Sequence, residues 1–208
     1  MANIKTVKWI FFDVGSTLVD ETEAYDHRVR DMIVGTKISF EEFDNVRVAL
    51  AKQGFEGNSA AIKYFGLVKT PWHSEDEVPY LDVYNTLEDL RDKGYMLGII
   101  ANQNPGTEER LKTWGLRHFF NVIVTSSEIG YAKPDKAIFG KALELAECNA
   151  GESIMIGDRL DNDIIPAKNI GMKTVWIKNG LAKYQDAKLG ENYADYQISS
   201  LRELLKVL

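Results

Sequence analysis

Residues 7–17, Val-Lys-Trp-Ile-Phe-Phe-Asp-Val-Gly-Ser-Thr, decide the fold of this 208-residue chain. The apolar run from Trp9 to Phe12 stops at Asp13 and gives way to the turn-prone Gly15 and Ser16. A short apolar run bounded by a turn signal reads as a strand buried in a parallel sheet. Asp13 then sits at the strand's carboxyl end, where open α/β sheets bind their ligands. A carboxylate on so rigid a support serves as a metal ligand, a nucleophile or both; its competing role is to cap the next turn.

From Tyr80 onward the pattern alternates regularly. Apolar strands are predicted over 96–101, 122–125, 153–156 and 173–177, and helices over 81–93, 106–114 and 135–147. A further helix follows Asp158 and ends near Gly171, and a terminal helix covers 201–208. Alternation of this kind implies an α/β fold, a parallel sheet with helices on both faces. Residues 20–78 contain no strand-like run. Tyr25, Val29, Met32 and Ile33 recur at helical spacing, and Ser39 with Glu42 forms a capping box opening a helix through about Gln53. Gly57-Asn58-Ser59 marks a break before a third, short helix over 60–65, and 69–74 reads as a loop. The expected organisation is an α/β core of residues 1–18 and 79–208, with a helical cap of 19–78 inserted after the first strand.

Composition narrows the function classes. Hydrophobic content of 45% and charged content of 27% are those of an ordinary globular protein. A net charge of −6 argues against a nucleic-acid partner, because a phosphate backbone calls for a basic face. Cys148 is the only cysteine, has no histidine near it in sequence, and reads as a structural thiol in a reducing, cytoplasmic setting. Neither an apolar leader nor a membrane-length apolar run stands in the sequence, so no membrane partner is expected.

Asp13, Asn102, Lys133 with Pro134, Asp158 and Asp163 all fall at the ends of predicted strands or just beyond, on one edge of the sheet. Mg²⁺ takes oxygen ligands and keeps several waters, so a few carboxylates plus a phosphate make a typical site. Asp158 follows its strand directly. Asp163 falls in the first turns of the next helix, where it reaches the metal or favours the helix's positive end. Lys133 precedes Pro134, whose restricted backbone can aim the ammonium into the cleft.

Four stretches resemble, in order and spacing, the four motifs of the haloacid dehalogenase (HAD) superfamily. They are Phe11-Phe12-Asp13-Val-Gly-Ser-Thr17-Leu, Ile99-Ile100-Ala-Asn102, Tyr131-Ala-Lys133-Pro134-Asp135 and Ile156-Gly157-Asp158-Arg-Leu-Asp-Asn-Asp163. The resemblance spans about residues 7–180 and implies a Rossmann-like core, a helical cap and a Mg²⁺ cofactor. It further implies phosphate-ester hydrolysis through a covalent aspartyl-phosphate. Asp13 would be nucleophile and metal ligand, and the Gly15 carbonyl, Asp158 and Asp163 would complete the metal site. Asn102 and Lys133 would contact the phosphoryl group, with Ser16 and Thr17 beside it.

Two positions depart from the family pattern. Where family phosphatases resemble Asp-x-Asp, the second Asp being the general acid, this chain has Gly15; where they present a hydroxyl to phosphate, it has Ala101. General acid–base catalysis is worth ~10²–10⁴-fold and a hydrogen bond to a charged group about 1.5–3 kcal/mol. One reading is a phosphatase that prefers good leaving groups or borrows an acid from the cap, with Asp20, Glu21, Glu23, Asp26 and His27 as candidates. A second is a dehalogenase- or phosphonatase-like hydrolase, which for the latter would need a cap lysine, Lys52 or Lys63. A third is a HAD-fold protein that binds Mg²⁺ and phosphate with little turnover. Gly15→Asp separates them on sequence grounds, since it restores alkyl-phosphate hydrolysis to a site lacking only its acid. The expected ligand is a small phosphorylated metabolite. The cap aromatics Phe40, Phe43, Phe55, Tyr64 and Phe65 read mainly as core of the insert, and Trp72, Trp114 and Trp176 as core or interface, leaving the oligomeric state open.

Overall fold

The computed structural model describes residues 6–208. Strand β1 (Trp9–Phe12) is followed by β2 (Val19–Asp20), helices α1 (Thr22–Ile33), α2 (Phe40–Lys52) and α3 (Gly57–Phe65), and β3 (Val78–Pro79). The chain continues through α4 (Val83–Asp92), β4 (Met96–Ala101), α5 (Thr107–Thr113), β5 (Val122–Thr125), α6 (Ser126–Ile129) and α7 (Lys136–Leu145). It closes with β6 (Ser153–Gly157), α8 (Ile165–Asn169), β7 (Lys173–Ile177), α9 (Ala187–Glu191), β8 (Tyr196–Ile198) and α10 (Leu204–Val207).

Six strands form one parallel sheet in the order β5-β4-β1-β6-β7-β8. This is a Rossmann-like α/β arrangement, with β1 central between β4 and β6. All four β1 residues are buried because both faces of the sheet are covered. Ile10 and Phe12 join the core on one face with Leu87, Leu97 and Ile99, whereas Trp9 and Phe11 join Phe139 and Ala142 of α7 on the other. Trp176 is buried in a small cluster with Ile164 and Ala182, and Trp114 packs against the separate core that holds Ile10 and Phe12. Among the described residues, no helix is long and apolar enough to cross a membrane.

Helices α1–α3 carry an apolar cluster of their own, with Val29, Met32, Phe43 and Ile62 buried and Phe40 and Phe65 packed on them. Ser39 caps α2 by accepting from Glu42 N at 3.1 Å, as the capping pattern predicts. Three local expectations are corrected. First, α3 begins at Gly57 rather than Ala60, because the Glu56 carboxylate accepts from the backbone of both Asn58 and Ser59 and so starts the helix there. Second, β2 and β3 pair antiparallel into a two-residue ribbon joining the helical segment to the sheet, too short to register as an apolar run. Third, β8 extends the sheet at its edge, and the terminal helix is a 3₁₀ turn over Leu201–Glu203 followed by α10.

Phe11→Ala, at a fully buried ring stacked 5.6 Å from Trp9, should cost about 3–5 kcal/mol in urea unfolding. Val68→Ala, at an exposed side chain, should leave the midpoint within error.

Candidate active site

The loops leaving β1, β4 and β6 converge on the side of the sheet where the strand order reverses, β4 and β5 lying to one side of β1 and β6–β8 to the other. Crevices form at such switch points, because successive connections leave in opposite directions. Asp13 follows β1 directly, and its backbone N–H donates to Ile156 O of β6, pinning the two strand ends together. Asp158 follows β6, and Asp163 lies in a π-helical turn (Leu160–Ile164) that leads into α8. The carboxylate oxygens of Asp13, Asp158 and Asp163 lie within 4.8 Å of one another.

Lys133 is buried and its ammonium bridges two of these acids, with Nζ 2.7 Å from Asp13 Oδ1 and 2.6 Å from Asp163 Oδ1. Its loop is held by Asn102, whose Nδ2 donates to Lys133 O at 2.8 Å and whose Oδ1 accepts from Lys133 N at 2.7 Å. The Asn102 side chain thus holds the lysine backbone, and Asn102 also lines the cleft. Asp163 is fixed from its other side by Arg159 N at 3.0 Å. It fits only because residue 157 is glycine: a β-carbon there would lie 2.3 Å from Asp163 Oδ2.

Gly15 and Ser16 form a tight turn with Ser16 N donating to Val19 O, and Ser16 takes a left-handed φ of 52°. Ser16 lines the cleft. Thr17 does not: its side chain is fully buried and its hydroxyl meets no partner among the described residues. The cleft, with a cavity volume of about 250 Å³, is walled on one side by this acidic edge and on the other by Tyr25, Arg47 and Asn58 of the helical segment. Of Phe40, Phe43, Phe55, Tyr64 and Phe65, only Phe55 lines it; Lys52 and Lys63 are exposed and line neither side.

The five cap candidates for a proton donor separate clearly. Asp20 accepts from Thr22 N at 2.9 Å at the start of α1, and Glu23 pairs with Arg30 on the surface. Asp26 is bound to Arg47 at 2.6 Å, and His27 to Asp76 at 2.8 Å. Glu21 alone enters the cleft, and its carboxyl accepts no hydrogen bond from any described residue. Nothing in the sequence pattern distinguishes it from its neighbours.

The haloacid dehalogenase-like hydrolase pattern matches residues 10–177. The chain belongs to the haloacid dehalogenase-like hydrolases. It is 34% identical to a glyceraldehyde 3-phosphate phosphatase of Pyrococcus furiosus, across 99% of this chain and 94% of that protein. It is 29% identical to the pyrophosphatase PpaX of Bacillus velezensis, across 98% and 97%. A HAD phosphatase from Thermococcus onnurineus superposes with a TM-score of 0.67 at 29% identity, covering 97% of each chain. The magnesium-bound HAD-hydrolase YfnB of Bacillus subtilis shares the fold, with a TM-score of 0.69 at 21% identity over 97% and 98%.

Electrostatically this HAD edge is overloaded with negative charge. Burial, then the neighbouring Asp163, Asp13 and Glu21, drive the Asp158 carboxyl well above the usual carboxylate range. Burial also raises Asp163, to about 6, against the opposing pull of Lys133. Glu21 is half-buried, yet burial and then the Asp13 charge push it up to about 8. Burial draws the Lys133 ammonium down, but Asp13 and Asp163 more than offset this and hold it charged. One lysine against four acids leaves a deficit of positive charge. Asp158, half-buried and with no hydrogen-bond donor among the described residues, is where a hard divalent cation fits the donor set.

A carboxyl raised in the folded state binds more protons than in the unfolded chain, so it loses stability as pH climbs between the two values. For Glu21 that window runs from about 4.5 to about 8. In EDTA, Tm should fall from pH 5 to pH 8, by roughly 2–4 °C per kcal/mol lost, and Glu21→Gln should flatten the fall. Added Mg²⁺ should raise Tm more at pH 8 than at pH 5; an equal rise at both would contradict the charge-deficit account.

Proposed function

We propose that the protein is a Mg²⁺-dependent phosphatase that hydrolyses a small phosphate monoester through an aspartyl-phosphate on Asp13. The observation that carries this reading is the buried Lys133 ammonium held between Asp13 and Asp163, with the donor-free Asp158 beside them. The full-length relatives named as phosphatases support the reaction class. A cavity of about 250 Å³ supports a ligand of triose-phosphate size.

Asp13, Asp158, Asp163 and the Gly15 carbonyl would hold the cation, which supplies charge neutralisation to the phosphoryl oxygens. The chain's own residues do the rest. The β1 backbone holds the Asp13 carboxylate in the wall of the cleft, in position to act as the nucleophile. Lys133, kept charged by its two acids, neutralises the phosphoryl oxygens as charge builds on them. Asn102 fixes the lysine backbone, so the ammonium does not have to be organised during the reaction. Helices α1–α3 act as the cap that covers the cleft, tethered by the β2–β3 ribbon. Exposed Lys52 and Lys63 disfavour a phosphonatase chemistry that needs a cap lysine in the site, and the acidic cluster disfavours a metal-free dehalogenase.

With Mg²⁺, p-nitrophenyl phosphate should be hydrolysed, and EDTA or Asp13→Asn should reduce the rate to background. Hydrolysis that survives Asp13→Asn would remove the aspartyl-phosphate route. No hydrolysis by the wild type above that blank would leave a protein that binds phosphate and cation without turnover.

A further inference from the structure

The position that lacks an acid in sequence is not empty in space. A β-carbon built on Gly15 would lie 2.4 Å from Glu21 Oε1 and 2.5 Å from Glu21 Cδ and Oε2. The Glu21 carboxyl therefore occupies the volume into which an aspartate at residue 15 would extend. It arrives from the far side, at the residue between β2 and α1. It does not cap α1, a role Asp20 takes, and no described donor binds it. The other acids that the helical segment brings to the cleft are committed: Glu56 accepts from Asn58 N and Ser59 N at the start of α3, and Asp44 is bound to Arg47. Tyr25, also in the cleft, packs edge-on against Trp72 with ring centroids 4.8 Å apart.

We propose that Glu21 is the general acid and base of this site, delivering from the helical segment the carboxyl that residue 15 lacks. The inference rests on the phosphatase reading. In the first half-reaction Asp13 bonds to phosphorus, the ester P–O bond breaks, and the departing alkoxide oxygen takes the Glu21 proton. In the second, water attacks phosphorus and gives its proton to the Glu21 carboxylate. The Asp13–phosphate bond then breaks, and orthophosphate leaves an enzyme restored to its starting state. One water is consumed, and one alcohol and one phosphate are formed. The same geometry reverses the expectation for Gly15→Asp: by itself that change forces two carboxyl groups into one volume and should lower activity.

The test is first-turnover kinetics with Mg²⁺ on p-nitrophenyl phosphate, whose phenolate leaves without a proton, and on glycerol 3-phosphate, whose alkoxide does not. Glu21→Gln, nearly isosteric, should lower the alkyl-to-aryl rate ratio by about 10²–10⁴-fold. It should also turn aryl hydrolysis into a burst of nitrophenolate, because the aspartyl-phosphate accumulates when its base is missing. Gly15→Asp combined with Glu21→Ala returns a carboxyl to the same volume from the other backbone and should recover roughly tenfold or more of the lost alkyl rate. Glu23→Gln, at the surface, should change neither rate. Equal losses on both esters in Glu21→Gln, or a ratio that falls in Tyr25→Phe instead, would overturn the assignment while leaving the phosphatase reading in place. Absence of aryl turnover in the wild type above Asp13→Asn would overturn the phosphatase reading itself.

Discussion

Lys133 Nζ, buried between Asp13 and Asp163, is the interaction on which the rest of this sheet edge depends. A buried ammonium is tolerated only with acids around it, and buried acids only with a cation. Losing one partner of such a pair typically costs 3–5 kcal/mol, so the surroundings are built to hold it. Asn102 clamps the lysine backbone from β4, Arg159 N fixes Asp163 from the π-helical turn, and Gly157 leaves room for that carboxyl. Even so, the lysine cannot balance Asp158 and Glu21 as well. The remaining negative charge is what a divalent ion held beside Asp158 would offset.

Much of this was legible in the chain. The Trp9–Phe12 run, ended by Asp13, fixed the central strand, since only a strand covered on both faces is continuously apolar. Spacing placed Asp158 and Lys133 on the same edge, and the Ser39 cap was visible as a residue type at a helix start. What escaped lacks a local signature. β8 is three residues long with only Ile198 fully buried, too little for a pattern to register. The β2–β3 ribbon is two residues a side and exists because Asp20 pairs with Val78 across the whole helical segment, which periodicity cannot see. Asn102 was placed at the edge correctly, but its amide's target is a backbone 31 residues away.

Glu21 is the instructive case. In sequence it is one of several charged residues opening a helix, and helical periodicity assigns them all to a solvated face. Three-dimensional pairing sorts them: each of the other four finds a partner of its own, and the one left over faces Asp13. The signal that could have raised its prior was the absence at Gly15 rather than anything at residue 21. A missing side chain in a close-packed protein leaves either a void or a neighbour that fills it.

The consequence of that exchange is mechanical as well as chemical. A carboxyl on residue 15 would belong to the turn after β1 and keep a fixed distance from Asp13 whatever the helical segment did. A carboxyl on residue 21 belongs to the junction of β2 and α1, across the ribbon that ties the segment to the sheet. Any displacement of the segment from the sheet takes the Glu21 carboxyl away from Asp13, whereas Lys133, Asp158 and Asp163, all rooted in the core, stay behind. On the proposed roles, nucleophile and cation site would be set by the sheet alone, while the proton donor would be in place only with the helices down. An arrangement of that kind would tie proton transfer to closure over the substrate, and it needs no residue beyond the Gly15–Glu21 exchange.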